Sequence, residues 1–291
     1  MTNSPPIKVL VLGATGMLGN AMLRLFAGSP GYIAQGSGRS AAGLRLLPEH
    51  LRPNVLIGVD VENPDALARL LGQVRPQVVV NCIGLVKQLA EADDPLAALP
   101  INAMLPHRLS RLCALLGARL VHISTDCVFA GTRGGYTEAD AADAQDLYGR
   151  SKLLGEVAQE AHAITLRTSI IGHELASAHG LVGWFLAQPG PVHGYARAVF
   201  SGLPTVELAT IVRDHVLPRP ELCGLYHVSA APIDKLALLR LVAAQYGRGT
   251  EIVPDERVVV DRSLDSTRFR QATGYAPPAW PELVRRMHAF G

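Results

Sequence analysis

The strongest constraint on this chain is the succession at its start. Ile7-Lys8-Val9-Leu10-Val11-Leu12 leads into Gly13-Ala14-Thr15-Gly16-Met17-Leu18-Gly19, followed by a helical apolar stripe of Leu18, Met22, Leu25 and Phe26. The first stretch reads as a buried strand. The glycines then permit a turn whose backbone can approach a pyrophosphate closely. The helix that follows offers its first amides and the positive end of its dipole to the same anion. A glycine-rich turn without a ligand has the same spelling. The motif gains its meaning from the strand before it and the helix after it.

The rest of the chain repeats that alternation. Strands are expected near Tyr32 to Gln35, Val55 to Val59, Gln77 to Asn81, Arg119 to Ser124 and Ala163 to Arg167. A helix should start at Asn63-Pro64, with Asn as cap and Pro in the first turn. A longer helical region is punctuated by Pro95, Pro100 and Pro106. Strands alternating with helices indicate an α/β fold with a mainly parallel, doubly wound sheet of Rossmann type. Beyond it, Thr205 to Leu217 reads as a helix, Leu225 to Val228 as a strand and Pro232 to Tyr246 as an amphipathic helix. Gly183 to Gly202 mixes Trp184, Phe185, Tyr195 and Phe200 with Gly and Pro. That composition suits a loop-rich wall that stacks on a base or sugar, and equally a piece of core.

Composition excludes several classes of function. The 291 residues suffice for one large or two modest domains, and 48% apolar content supports a core. A formal charge of +2, without any basic run, gives no footprint for nucleic acid. Met1 to Pro6 is short and polar, so no leader is expected, and no apolar run is long enough to span a bilayer. Cys82, Cys113, Cys127 and Cys223 are scattered, which suits reduced thiols in the cytoplasm. No His-x-x-x-His pair is present among the ten histidines, so no metal site is expected.

Several positions carry candidate chemistry. Where an NAD site usually has an acidic residue, about 20 positions beyond the glycines, this chain has Arg39 and Ser40. These suit a 2′-phosphate, although an exposed loop arginine would read the same. Asp60, after the third strand, is placed to accept from an adenine amino group or to close a turn. Asn102 stands among apolar neighbours and needs a buried partner, in either a structural or a catalytic role. Ser124-Thr125-Asp126-Cys127 ends a strand, where polar side chains of an open α/β sheet face the ligand crevice. The Thr125 hydroxyl there could hydrogen-bond a substrate carbonyl. Tyr148 and Lys152 are spaced to share one helix face. An ammonium beside a phenol lowers a pKa ordinarily near 10, and so makes a proton donor for carbonyl reduction near neutral pH.

Taken together, Gly13 to Gly19, the Asn81 turn, Ser124 to Phe129 and Tyr148 to Glu156 resemble an extended short-chain dehydrogenase/reductase. Within that superfamily they resemble dTDP-4-dehydrorhamnose reductase and related reductases of nucleotide-activated sugars. It continues through Leu166-Arg167-Thr168-Ser169, Gly202 to Glu207 and Gly224 to Ser229. It implies an NAD(P)-binding domain, residues 1–171 and about 204–230, and a smaller carboxyl-terminal substrate domain, residues 172–203 and 231–291. It also implies Thr125, Tyr148 and Lys152 at the reaction centre.

The expected cofactor-binding set is Gly13, Thr15, Gly16, Met17, Leu18, Gly19, Arg39, Ser40, Asp60, Val61, Cys82, Ile83, Gly84, Asn102, Tyr148 and Lys152. NADP(H) is preferred and NAD(H) is compatible. The expected substrate-binding set is Lys87, Asp126, Cys127 and Arg262, with no metal. A guanidinium at Arg262 would bind a pyrophosphate bidentately, or else pair with Asp261 or Asp265. The expected partner is a nucleotide-activated 4-keto-6-deoxy sugar, in deoxysugar and polysaccharide biosynthesis. No nucleic acid or membrane partner is expected, and a homodimer is compatible.

Cys127 is a departure, because reductases of this type commonly have Tyr there. A thiol of lowered pKa could shuttle a proton in a bifunctional epimerase/reductase, with His179 or His193 as the second group. The alternative is a small buried filler. A 4,6-dehydratase would want a carboxylate pair, and Asp126 has no Glu beside it. A non-catalytic nucleotide-binding regulatory subunit is the remaining alternative.

Overall fold

A computed structural model describes residues 5–87 and 90–291. Its centre is a seven-stranded sheet. The strands are β1 (Ile7–Leu12), β2 (Tyr32–Gly38), β3 (Val55–Ile57), β4 (Val78–Asn81), β5 (Arg119–Thr125), β6 (Ala163–Thr168) and β7 (Gly224–His227). They lie in the order β7-β6-β5-β4-β1-β2-β3, all parallel. The doubly wound parallel sheet expected from the sequence is the architecture.

Helices cover both faces, so the strands are buried on both sides and read as continuous apolar runs. Val9, Leu10, Val11 and Leu12 are all fully buried. On one face α1 (Met17–Ala27) contributes Met22, Leu23 and Phe26 to a core shared with Leu208, Ile211 and Trp280. On the other face α2 (Pro64–Val74) and α3 (Leu105–Leu116) bury Leu67, Leu70, Leu71, Leu105 and Leu109. Asn63 caps α2, its carboxamide oxygen accepting from the amides of Asp65 and Ala66. Truncating a side chain such as Phe26 would cost about 3–5 kcal/mol, through lost contacts and the cavity left behind.

Chain order reverses between β1 and β4, and the crevice at the carboxyl ends of these two strands is where such sheets bind ligands. β3 stops at Ile57, short of the expected Val59, because Gly58 turns the chain with φ 81°. The proline-punctuated region is one nearly continuous helical path, widened to a π-helical segment over Leu99–Met104. The helix expected from Pro232 starts at Lys235, because the Asp234 side chain accepts from the amide of Ala237 and so fixes the cap there.

The remaining elements build a smaller lobe beyond the carboxyl ends of β5 and β6. Ala198–Phe200 pairs with Ile233–Asp234 and with Val260–Asp261, and Val192–Tyr195 pairs with Ile252–Asp255. Gly183 to Gly202 is therefore less irregular than its composition suggests. The helix Trp280–Phe290 packs on Thr205–Ile211, where buried Glu207 accepts from Arg286 Nη1 at 2.8 Å and from the Tyr275 hydroxyl at 3.1 Å. Among the described residues no helix is long and apolar enough to cross a membrane.

Candidate active site

The glycine turn takes the form its spacing requires. Gly13 has φ 78°, and a Cβ there would come within 2.9 Å of Ile83 Cγ1. A Cβ on Gly19 would overlap the carbonyl oxygen of Gly13, so this glycine sets the close approach of α1 to β1. Gly16 caps α1 in an extended conformation, without a side-chain cap and with no acidic residue in the first turn. The first amides of α1 are thus not occupied by a capping side chain. Thr15, Gly16, Met17 and Leu18 line a cleft of 590 Å³, across from Cys82, Ile83 and Gly84.

The other expected cofactor positions are more dispersed. Arg39 and Ser40 are exposed just past β2, whose last residue, Gly38, faces Thr15. Neither lines the cleft itself. Asp60 is exposed, and its carboxylate accepts from the amide of Glu62 at 3.0 Å. Val61 packs against the α2 side of the core. Asn102 is buried with its whole carboxamide engaged inside the protein. Its Oδ1 accepts from Leu85 N at 2.9 Å, and its Nδ2 donates to Leu85 O and Ser151 Oγ. It clamps the loop after β4 to the next helix and stands behind the cleft wall.

Ser151 belongs to α4 (Leu147–Leu154), which also carries Tyr148 and Lys152, the residues expected at the reaction centre. Asp146 caps it, accepting from Gly149 N at 2.7 Å. Gly149 lets the helix press on the Asp126–Val128 turn, since a Cβ there would overlap the Cys127 carbonyl oxygen. Tyr148 and Lys152 both line the cleft. Lys152 is 5% exposed and donates from Nζ to the carbonyl oxygen of Ile123 at 2.8 Å. Burial lowers its pKa to about 8, opposed by the carboxylate of Glu156.

The phenol departs from expectation. Burial pushes the pKa of Tyr148 well up, the neighbouring Cys127 adds to this, and the Thr125 hydroxyl only partly offsets it. The lysine rests on a backbone carbonyl, so desolvation outweighs any acidifying effect of the ammonium. Tyr148 is a protonated donor at neutral pH.

At the end of β5, Thr125 Oγ1 accepts from Cys127 N at 3.1 Å and donates to Asp126. Asp126 is 4% exposed, and burial raises its pKa. Cys127 lines the cleft, where burial and then Asp126 push its thiol up to about 12. The lowered thiol pKa that proton shuttling needs is therefore not what the packing produces. Lys87, at the rim, pairs with Asp146.

A second cavity of 640 Å³ adjoins the cleft, the two sharing Leu181, Trp184 and Lys235 as wall. Arg262 lines this cavity, its Nε donating to Phe129 O at 2.8 Å and one Nη to Ala130 O at 3.2 Å. Asp261 and Asp265 instead accept from the amides of Ser263 and Thr267. The sequence reading missed Lys235 and Glu174. Glu174 lines the cleft, and Lys235 is a half-buried lysine facing Asp126 and Cys127, its pKa lowered by burial. A lysine at a helix start carries no signal of that position. Among the described residues no cluster of His, Cys, Asp or Glu could hold a metal ion.

The family described as RmlD substrate binding domain matches residues 7–248. Methionine adenosyltransferase 2 subunit beta of Rattus norvegicus is 35% identical over 156 residues, 54% of this chain and 43% of that protein. The chain thus matches less than half the length of that relative. The dTDP-4-dehydrorhamnose reductase of Shigella flexneri is 27% identical over 252 residues, 78% of this chain and 84% of that one. The crystal structure of the Bacillus anthracis dTDP-4-dehydrorhamnose reductase in complex with NADP superposes with a TM-score of 0.80 at 21% identity, covering 99% of each chain, which establishes a common fold. With the match spanning the sheet, the cleft and part of the smaller lobe, the chain belongs to the RmlD substrate-binding domain family.

Proposed function

We propose that the protein is an NAD(P)H-dependent reductase of a nucleotide-activated 4-keto-6-deoxy sugar. The observation that carries this reading is the face of α4. It brings Tyr148 and Lys152 to the end of β5, in one cleft with the glycine turn. The turn fits a dinucleotide on its own geometry: Gly13 and Gly19 leave no room for a Cβ, and no side chain caps α1. When bound, the nicotinamide cofactor supplies the hydride.

The chain's own residues would handle the proton and the binding. Tyr148 holds its phenolic proton at neutral pH and gives it to the carbonyl oxygen of the sugar. Thr125, beside that phenol, orients the same oxygen. Lys152, one turn along the same helix and in the same cleft, would favour the phenolate left after transfer. The adjoining cavity offers Trp184 and Tyr195 as aromatic walls and Lys235 and Arg262 as cations, which suits a nucleoside diphosphate. Arg39, one residue past the strand end that faces Thr15, favours NADPH over NADH. Assaying the protein against a panel of 4-keto sugar nucleotides with each cofactor tests the reading. No turnover of any member would overturn it.

The match to a methionine adenosyltransferase subunit supports a second reading, a nucleotide-binding subunit without turnover. The same panel separates the two, since that subunit would bind cofactor and reduce nothing.

A further inference from the structure

Tyr148 and Lys152 have a third polar companion at the same spacing, Glu156, just beyond the end of α4. Each of the three meets one of three consecutive residues of β5. The phenol lies beside the Thr125 hydroxyl, Lys152 Nζ donates to Ile123 O at 2.8 Å, and Glu156 Oε1 accepts from Ser124 Oγ at 2.6 Å. Glu156 also accepts two hydrogen bonds from Arg167 of β6, from Nε and Nη2, at 2.7 Å each. Both side chains of that pair are only 6% exposed. Arg167 Nη1 continues to His227 Nε2 of β7 at 3.3 Å.

Stability alone is a poor reason for such a pair. Well-packed apolar residues of similar volume are often as good as a buried ion pair, or better. The position of this one, directly beneath Ser124 in the cleft wall, suggests another use.

We propose that Glu156 is a positioning residue for the reaction centre. Its carboxylate fixes Ser124 and the strand end on which Lys152 rests, and its charge keeps the Lys152 ammonium protonated. The groups that face Lys152 are Glu156 after its own helix, Cys82 beyond β4 and His122 of β5. Burial pushes the Cys82 thiol up to about 12 and lowers the His122 pKa well below its usual value, so both are neutral at pH 7. Tyr148, on the same helix face, is neutral as well. Glu156 is then the charged group left to oppose the burial of Lys152. Removing its charge should lower the lysine's titration midpoint further, so neutral amine appears at lower pH.

The test is competitive labelling of Lys152 with acetic anhydride across the neutral-to-alkaline range, read by peptide mass spectrometry. It needs neither substrate nor turnover. The unaltered protein should show a midpoint of about 8. Glu156→Gln should move it down by about one unit, roughly a tenfold rise in neutral amine at a given pH. The double variant Glu156→Gln/Arg167→Gln removes the pair together, so no lone buried charge is left to unfold the chain. It should shift the midpoint the same way. An unmoved midpoint in the folded variants would reduce Glu156 to a structural partner of Arg167 and overturn the proposal.

The pH–rate profile of sugar reduction is the second arm, and it rests on the function proposed above. Its alkaline limb should move to lower pH in Glu156→Gln. If the unaltered protein reduces no sugar nucleotide, that reading fails while the labelling still decides the role of Glu156.

Discussion

The two ends of the cleft are built from different materials. The end proposed for the cofactor is backbone: Gly13 in a left-handed conformation, Gly16 as an extended cap and Gly19 pressed against Gly13. The end proposed for the reaction is buried side chain: Lys152 on a carbonyl, Thr125 between Asp126 and Cys127, and Glu156 under Ser124. A backbone site should be sensitive to volume and indifferent to side-chain charge. A buried side-chain site should respond to charge, since burial sets the proton inventory of each group.

The largest expected effect lies at the reaction end. Tyr148→Phe removes one oxygen and the transferable proton. Its kcat should fall by about 10²–10⁴-fold, the usual range for a lost general acid, with cofactor affinity unchanged in fluorescence titration. Undiminished turnover across the substrate panel would show that the proton comes from elsewhere.

Next is Arg39→Ala, a charge change at the cofactor end. It should weaken NADPH by about 1.5–3 kcal/mol, a lost charge-assisted bond, and leave NADH unaffected. Equal affinity for both cofactors in the unaltered protein would make Arg39 a loop residue and restore the contrast between the ends.

Gly19→Ala probes volume. The added methyl meets the Gly13 carbonyl oxygen, which cannot rotate away, so α1 must move. A stability loss of about 1–3 kcal/mol, together with weaker binding of both cofactors, is expected from thermal unfolding and titration. A variant with unchanged cofactor affinity would separate the turn from the binding site.

Cys127→Ser should do least. The thiol is neutral, so loss of the sulfur should change kcat only a few-fold. A keto-sugar nucleotide incubated in deuterated water without reduced cofactor should gain no deuterium beside its carbonyl. Exchange that disappears in Cys127→Ser would instead establish an epimerising step.

Legibility in the sequence followed the range of the interaction. The strand, the glycine turn and α1 were readable because their signals are neighbours in the chain and have one common geometric solution. The same holds for the shared face of Tyr148 and Lys152, which follows from helix periodicity. The fold class came from strands alternating with helices. Beyond that, Asn102 announced only that it needed a partner. The loop at Leu85 that it holds is distant in sequence. Lys235 announced nothing, although it stands in the wall common to both cavities.

By itself the sequence determined the doubly wound sheet, the placing of its glycine turn, and which residues could do acid–base chemistry. Tertiary structure decided which of those groups carry a proton. Tyr148 is pushed up and Lys152 down to about 8, and Cys127 rises to about 12. The order of types along a helix cannot give this, because a pKa depends on how much water and which charges surround a group once distant strands have packed. Glu156 is the clearest instance. One residue past a glycine at a helix end, it becomes a buried anchor only when Ser124 and Arg167, from two different strands, close over it.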